Sequence, residues 1–291
     1  LQQLKKNVGL PLILFFAFIL LSTKMRIRII FQLLNQGGIV PFHQQALLSS
    51  FVHDFLPSRL SPSDTWTFSG LKGQTKVTAK GLYYNSQKVT LVFSTPSREL
   101  AEAFVNAIFT NGIFGLAGLE LQPIQVLEEI VAFEGDSVKY ICISPLVVLA
   151  EGFPDPELKQ FISPASGSFA DLLYESTMSR MEKAGVPLHN AAENSFFNFR
   201  PDEEYLHRAK ETDKKYSRIY ALEGFGNYSE LRGYTLPFYL DAAPEIHEFI
   251  FNSGLGEATR YGFGMVDLAD RTGKTQTREF SFNRNQEARW A

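Results

Sequence analysis

The sequence is short of cysteine: Cys142 is alone among 291 residues. No disulfide can form within the chain, and the apolar run Tyr140-Ile141-Cys142-Ile143 suits a small buried hydrophobe better than a nucleophile or a metal ligand. A reducing compartment, the cytoplasm, fits this usage. Clusters of His, Cys or carboxylates at ligand spacing are missing as well, so neither a metal nor another cofactor is expected. An excess of either charge is also lacking. The formal net charge of −3 excludes a protein covered in nucleic-acid-binding surface.

The apolar run at 8–21 is interrupted by Pro11 and falls short of the ~20 residues that a spanning helix needs. No small-x-small cleavage site follows it. Met25, by contrast, opens a clean strand pattern, Arg26-Ile27-Arg28-Ile29-Ile30-Phe31. We read 1–24 as an upstream extension to a native start at Met25, with a membrane anchor as the alternative.

Acidic residues are absent between Asp64 and Glu99, yet Lys72, Lys76, Lys80, Lys88 and Arg98 all fall there. Such a stretch is either a solvated strand face or an anion-binding one. Glycine is concentrated near the end of the chain, in Gly254-Leu255-Gly256 and Gly262-Phe263-Gly264, around Arg260 and Tyr261. This loop leaves a helical pattern and enters a strand pattern. A dinucleotide fingerprint does the reverse, and five residues separate Gly256 from Gly262, so that reading is excluded. Glycine backbone, a cation and a ring suit a phosphodiester strand with unstacked bases.

Leu47, Leu48, Phe51, Val52 and Phe55 recur at helical spacing over 44–56, and Pro57 ends that helix. Strands follow at 65–71, 74–80 and 88–94, with Lys76 and Lys80 on one face of the second. A helix after Pro96 stops at Asn111-Gly112, and 119–131 reads as an edge strand because of Pro123. A second round follows: a strand over 140–149, a helix over 168–184, strands over 218–222 and 231–240, a helix over 243–251 and a strand over 265–268. The polar stretch 187–215 reads as an irregular insertion. The order in each round is that of a split β-α-β unit. We therefore expect an α+β chain of two tandem ferredoxin-like (RRM-like) domains at 25–136 and 137–270, with a loose tail over 271–291.

Four stretches resemble the RAMP superfamily of CRISPR-associated proteins, and within it the repeat-cleaving endoribonucleases that release guide RNAs. They are Met25-Arg26-Ile27-Arg28-Ile29-Ile30 leading to Val40-Pro41-Phe42-His43-Gln44; Phe68-Ser69-Gly70-Leu71-Lys72-Gly73; Ile143-Ser144-Pro145-Leu146; and the glycine loop. The resemblance implies metal-independent cleavage of CRISPR repeat RNA. The 2′-OH would attack the adjoining phosphate, leaving a 5′-OH and a 2′,3′-cyclic phosphate. It also implies a histidine near the first helix as base, with a lysine nearby. Other subunits of a CRISPR complex and a homodimer stay open as partners.

Of the five histidines, His189, His207 and His247 read as surface or satisfied side chains. His43 lies at the entry of the first helix, where the dipole favours a neutral imidazole. His53 lies roughly 15 Å further along, nearly opposite the apolar stripe, and is expected to face solvent or RNA. The candidate catalytic residues are His43, His53 and Lys76. The candidate RNA contacts are Lys72, Lys76, Lys80, Gly254, Gly256, Arg260, Gly262 and Gly264. The competing functions are a non-cleaving RNA-binding subunit and a ferredoxin-like regulator that binds a small molecule.

Overall fold

Alternation along the first strand settles the first unit. In β1 (Met25–Leu33), Ile27, Ile29 and Phe31 are fully buried, while Arg26, Arg28, Ile30 and Gln32 point the other way. The computed structural model describes residues 25–133, 135–149, 162–186, 196–221, 230–271 and 275–282. The expected extension at 1–24, His189 and the turn at Gly224, Gly226 and Asn227 lie outside the described residues.

The first unit contains β1, β2 (Ile39–Val40), α1 (Gln45–Phe55), β3 (Thr67–Phe68), β4 (Thr75–Thr78), β5 (Gly81–Tyr84), β6 (Lys88–Thr95), α2 (Arg98–Asn111), β7 (Phe114–Leu116) and β8 (Leu119–Val131). Its sheet runs β8-β1-β6-β3, all antiparallel, so β6 splits the β1-α1-β3 unit. Helices α1 and α2 cover the Ile27–Phe31 face through Leu48, Val52, Phe104 and Ile108. The Ser97 hydroxyl caps α2 by accepting from the Leu100 amide at 3.1 Å.

The second unit contains β9 (Ser137–Cys142), α3 (Gly167–Lys183), β10 (Phe197–Pro201), α4 (Glu203–Glu211), β11 (Ser217–Ala221), β12 (Glu230–Tyr234), β13 (Phe238–Ala242), α5 (Pro244–Ser253) and β14 (Val266–Leu268). Its sheet order, β10-β13-β9-β14, repeats that of the first. The chain is thus two tandem ferredoxin-like units.

Several elements differ from the sequence reading. The strand over 74–80 is shorter, and it belongs to a separate small sheet, β2-β5-β4, not to the main one. Lys80 lies in the turn after β4, outside the strand. The run 231–240 is two strands, because Pro237 has no N–H to donate. Its first half pairs with β11 as an independent hairpin and its second half, β13, joins the main sheet. The partner of β13 at the edge is β10, which lies inside the stretch expected to be irregular. Strand β8 is interior rather than an edge. Pro123 is tolerated there because the pairing with β1 shifts register between Ile30 and Phe31.

The tail also differs. β15 (Thr275–Glu279) pairs with β8 and closes that side of the first sheet. Arg278 holds Glu128 side-on through Nε and Nη2, at 2.6 and 3.0 Å, and Phe280 is buried in the first core. Among the described residues no helix is long and apolar enough to cross a membrane.

Candidate nucleic-acid interface

The glycine loop is a rivet between the units. Gly256 has φ +77°, and a Cβ there would stand 2.3 Å from the Val147 carbonyl oxygen; at Gly264, with φ +71°, it would stand 2.0 Å from that of Leu255. Only glycine fits either place. The loop's amides are spent inside the protein: Leu255 N–H donates to Gly264, Glu257 N–H to Val147, and Gly264 N–H to Pro145, at 2.7–2.9 Å. Its carbonyls are taken as well. From the second unit, Arg180 donates to those of Gly254 and Gly256 at 3.0 and 3.1 Å. From the first unit, Gln45 donates to those of Tyr261 and Gly262 at 2.7 and 2.8 Å, and Thr67 to that of Phe263 at 2.9 Å. The expected display of Gly254, Gly256, Gly262 and Gly264 to a phosphate strand is therefore not what the fold shows. All four are buried, and the amides of Gly254, Gly262 and Gly264 donate to protein carbonyls.

Arg260 and His53 meet on Trp66. The Arg260 guanidinium lies 4.9 Å from the indole ring centre and donates to the carbonyl of Pro62 at 2.8 Å and to that of Asp64. The His53 ring stands edge-on to Trp66 at 5.7 Å and stacks on Tyr261 at 5.9 Å. His53 Nδ1 lies 2.7 Å from the Ser49 carbonyl, which can only accept, so Nδ1 carries the proton. His53 is half-buried against the second unit instead of facing solvent. On the same helix Leu47 is 43% exposed while Gln45 and Ser49 are buried, because this side of α1 docks on the loop.

His43 lies elsewhere. It is exposed, in the turn before α1. Two hairpins flank that turn. Gly81, which pairs with Thr78 of β4, sits so close to Val40 and Pro41 that a Cβ would stand 2.2 Å from the Val40 oxygen. The tip bearing Lys80 thus lies beside the turn, while Lys76 is set back from the tip, opposite Tyr83 of β5, which pairs with Ile39 on its other side. From the second unit, Arg218 of β11 donates to the Phe42 carbonyl at 3.3 Å and lies 5.7 Å from the Phe42 ring centre. Arg218 and the tip bearing Lys80 border the turn that carries His43, and His53 and Arg260 meet elsewhere, on Trp66.

Lys72 belongs to neither group. It bridges to Thr90 beside β6, on the helix-free face that also carries Arg28. That face meets the second unit at a buried ionic cluster. Arg26 is fully buried. It donates to Glu129 at 3.0 Å and to the Phe251 carbonyl at 3.0 Å, and it lies 3.8 Å from Asp267. Arg28 also holds Glu129, and Arg271 reaches Glu129 at 2.9 Å and Asp267 at 3.2 Å. Burial pushes the Glu129 carboxyl up, but Arg26, Arg28 and Arg271 overcome that and hold it at about 2. Only Lys72 of this cluster stands out as a candidate in the sequence; the signal for the rest is two arginines alternating with isoleucines on a mostly apolar strand.

The remaining candidates are structural. His247 is fully buried. Its Nδ1 accepts from the Tyr140 hydroxyl at 3.0 Å, its Nε2 donates to the Asp136 carbonyl at 3.0 Å, and burial lowers its pKa. His207 is exposed, 3.5 Å from Glu211. Burial pushes the Cys142 thiol up to about 12, so it is no thiolate. Among the described residues no group of three or more His, Cys, Asp or Glu is placed to hold an ion.

Residues 127–268 match the family model described as CRISPR associated protein Cas6, C-terminal. An endoribonuclease-like Cas6 protein of Pyrococcus furiosus is 23% identical over 263 residues, 84% of this chain and 99% of that protein. A solved structure of a Cas6-related protein from Pyrococcus furiosus superposes with a TM-score of 0.65 at 21% identity, over 85% of this chain and 99% of that one. A structure described as a RAMP protein binding different RNA substrates gives 0.64 at 23% identity, over 84% of this chain and all (100%) of its own. Residues 127–268 thus resemble the C-terminal part of Cas6 proteins, and the paired split β-α-β units share the fold of these solved structures.

Proposed function

We propose that the protein is an endoribonuclease that cuts precursor CRISPR RNA within its repeats. The 2′-OH beside the scissile phosphate attacks the phosphorus; the new O–P bond closes a 2′,3′-cyclic phosphate and the bond to O5′ breaks. His43 removes the 2′-OH proton, and a proton is delivered to the departing O5′ to give a 5′-OH. Lys76, Lys80 and Arg218 supply positive charge to the phosphorane. The observation that carries this reading is the turn at His43. The exposed His43 follows Phe42, whose carbonyl accepts from Arg218 of β11, and the tip bearing Lys80 packs on the same turn at Val40 and Pro41. The strand reaches it across the helix-free sheet face of Arg28 and Lys72.

His53 is a positioning residue here. It holds the loop against α1 with Trp66 and Tyr261. Repeat-RNA cleavage and binding by His43→Ala and His53→Ala separate the roles. His43→Ala is expected to lose about 10²–10⁴ in rate with binding unchanged. His53→Ala is expected to unfold at lower temperature while still cutting. Full activity of His43→Ala overturns the assignment.

One observation favours a second reading, a repeat-binding protein that does not cut. No hydrogen bond orients the His43 imidazole among the described residues, whereas bases in nucleases are held by a third group. Relatives named endoribonuclease-like and described as binding RNA are compatible with either reading. Tight repeat binding by the wild type with no product selects the second.

A further inference from the structure

The ionic cluster between the units does not balance. Among the described residues four cations, Arg26, Arg28, Lys72 and Arg271, share two carboxylates, Glu129 and Asp267. The arginines are joined to those carboxylates. The Lys72 ammonium has no hydrogen bond or ion pair among the described residues, although its side chain is largely shielded from water. Arg26 Nη2 is likewise buried without a hydrogen-bond partner. A surplus of positive charge in a half-shielded place is costly unless an anion arrives to meet it. Lys72 and Arg28 edge the open part of the sheet, where Ile30 and Thr90 are only half-buried and Gln125 is exposed. An anion entering along that face meets these two first.

We propose that Lys72 and Arg28 form a preset subsite for one backbone phosphodiester of a bound RNA strand, charged from behind by Arg26 and Arg271. The inference rests on the RNA-binding half of the functional reading and is independent of cleavage. It has a consequence in protons. The Lys72 pKa is brought down to about 8, chiefly by burial; Asp267 and Glu129 work against the drop, and Arg28 and Arg26 add to it. A phosphate seated against the ammonium stabilises the charged form and returns the pKa towards its ordinary value, so binding takes up a proton where free Lys72 is neutral. The groups that face it are Arg26 and Arg28 from β1, Glu129 from β8 and Asp267 from β14.

The test uses the full chain and an adenosine dodecanucleotide, whose phosphodiesters and bases do not titrate in this range. Affinity is measured from pH 7 to 9 for wild type and Lys72→Arg. Proton uptake by wild type is measured by calorimetry in two buffers of different ionisation enthalpy. Wild-type affinity should fall about tenfold over that range, with uptake of roughly one proton at pH 9 and close to none at pH 6.5. Lys72→Arg, which stays charged, should show a flat profile. A wild type that binds without proton uptake, or the same fall in Lys72→Arg, overturns the subsite. Should Lys72→Arg fail to fold, the wild-type calorimetry decides alone. Linkage intact without cleavage condemns only the cleavage reading; binding or cleavage without linkage condemns only the subsite.

Discussion

Replacing Arg26 by methionine tests how the two units are held together. The side chain is fully buried, donates to Glu129 and to the Phe251 carbonyl, and lies 4.0 Å from the centre of the Phe251 ring. Methionine keeps most of the apolar stem, so the loss is chiefly electrostatic. Breaking a buried pair on one side costs about 3–5 kcal/mol because a charge is left behind. Glu129 retains Arg28 and Arg271, which argues for the lower end, about 3 kcal/mol. In a chain of this size that is roughly 6–12 °C in Tm. Arg26→Met with Glu129→Gln removes the charge left behind, and the double variant should lose less than the sum of the two single ones.

The pH dependence carries the same information. The folded pKa of Glu129, about 2, lies below its unfolded value of 4.5. The stability it contributes is fully present above the unfolded value and is lost as pH falls from there towards the folded one. Weakening the arginine set raises the folded pKa, so acid unfolding of Arg26→Met should begin at higher pH than in the wild type. Thermal and acid unfolding followed by circular dichroism measure both effects. A variant within 0.5 kcal/mol of wild type, with an unchanged acid limb, would refute the account of this cluster.

Gly264→Ala should destabilise by ~3 kcal/mol or more, since a left-handed alanine and a 2.0 Å clash with the Leu255 oxygen add together; a Tm unchanged within error contradicts the rivet. Ending the chain after Arg271 removes β15 and Phe280, which bares the β8 edge. Light scattering should then show self-association and a lower Tm, and a monodisperse truncated chain of unchanged Tm contradicts the seal. Alkylation of Cys142 by iodoacetamide should be negligible at pH 8 in the folded protein, because the thiol is buried and its pKa is pushed up to about 12; rapid labelling contradicts that burial.

Local periodicity made the first unit legible, since β1, α1, β6 and α2 each carry their own pattern. It failed where strands are short or change partners. In β10 only Phe197 and Phe199 mark the alternation, and a polar helix follows, so the pattern was drowned. The run 231–240 looked like one strand because nothing local says that Pro237 divides two sheets. β15 is mostly polar, and its pairing rests on Arg278 meeting Glu128, 150 positions away. His43 and Lys76 of the proposed site are residues that the sequence can name, and their roles stay with the proposal. The half-burial of His53 is not legible there: its partners Trp66 and Tyr261 come from two units, and pairing distant segments is a tertiary fact. The same holds for the motifs that carry the resemblance. Phe68, Pro145 and the glycine loop pack on one another. A Cβ on Gly262 would stand 2.2 Å from the Phe68 ring, and the Pro145 carbonyl accepts from Gly264. The most recognisable residues are thus those that hold the two units in place.

Cleavage of the host's own CRISPR repeat RNA in the presence of a chelator, with and without a single 2′-deoxy substitution at the mapped break, tests the central claim most directly. The account predicts a product ending in a 2′,3′-cyclic phosphate from the unmodified strand and no scission at that bond once the 2′-OH is gone. Equal cutting of both strands, or cutting only when divalent metal is restored, would contradict it.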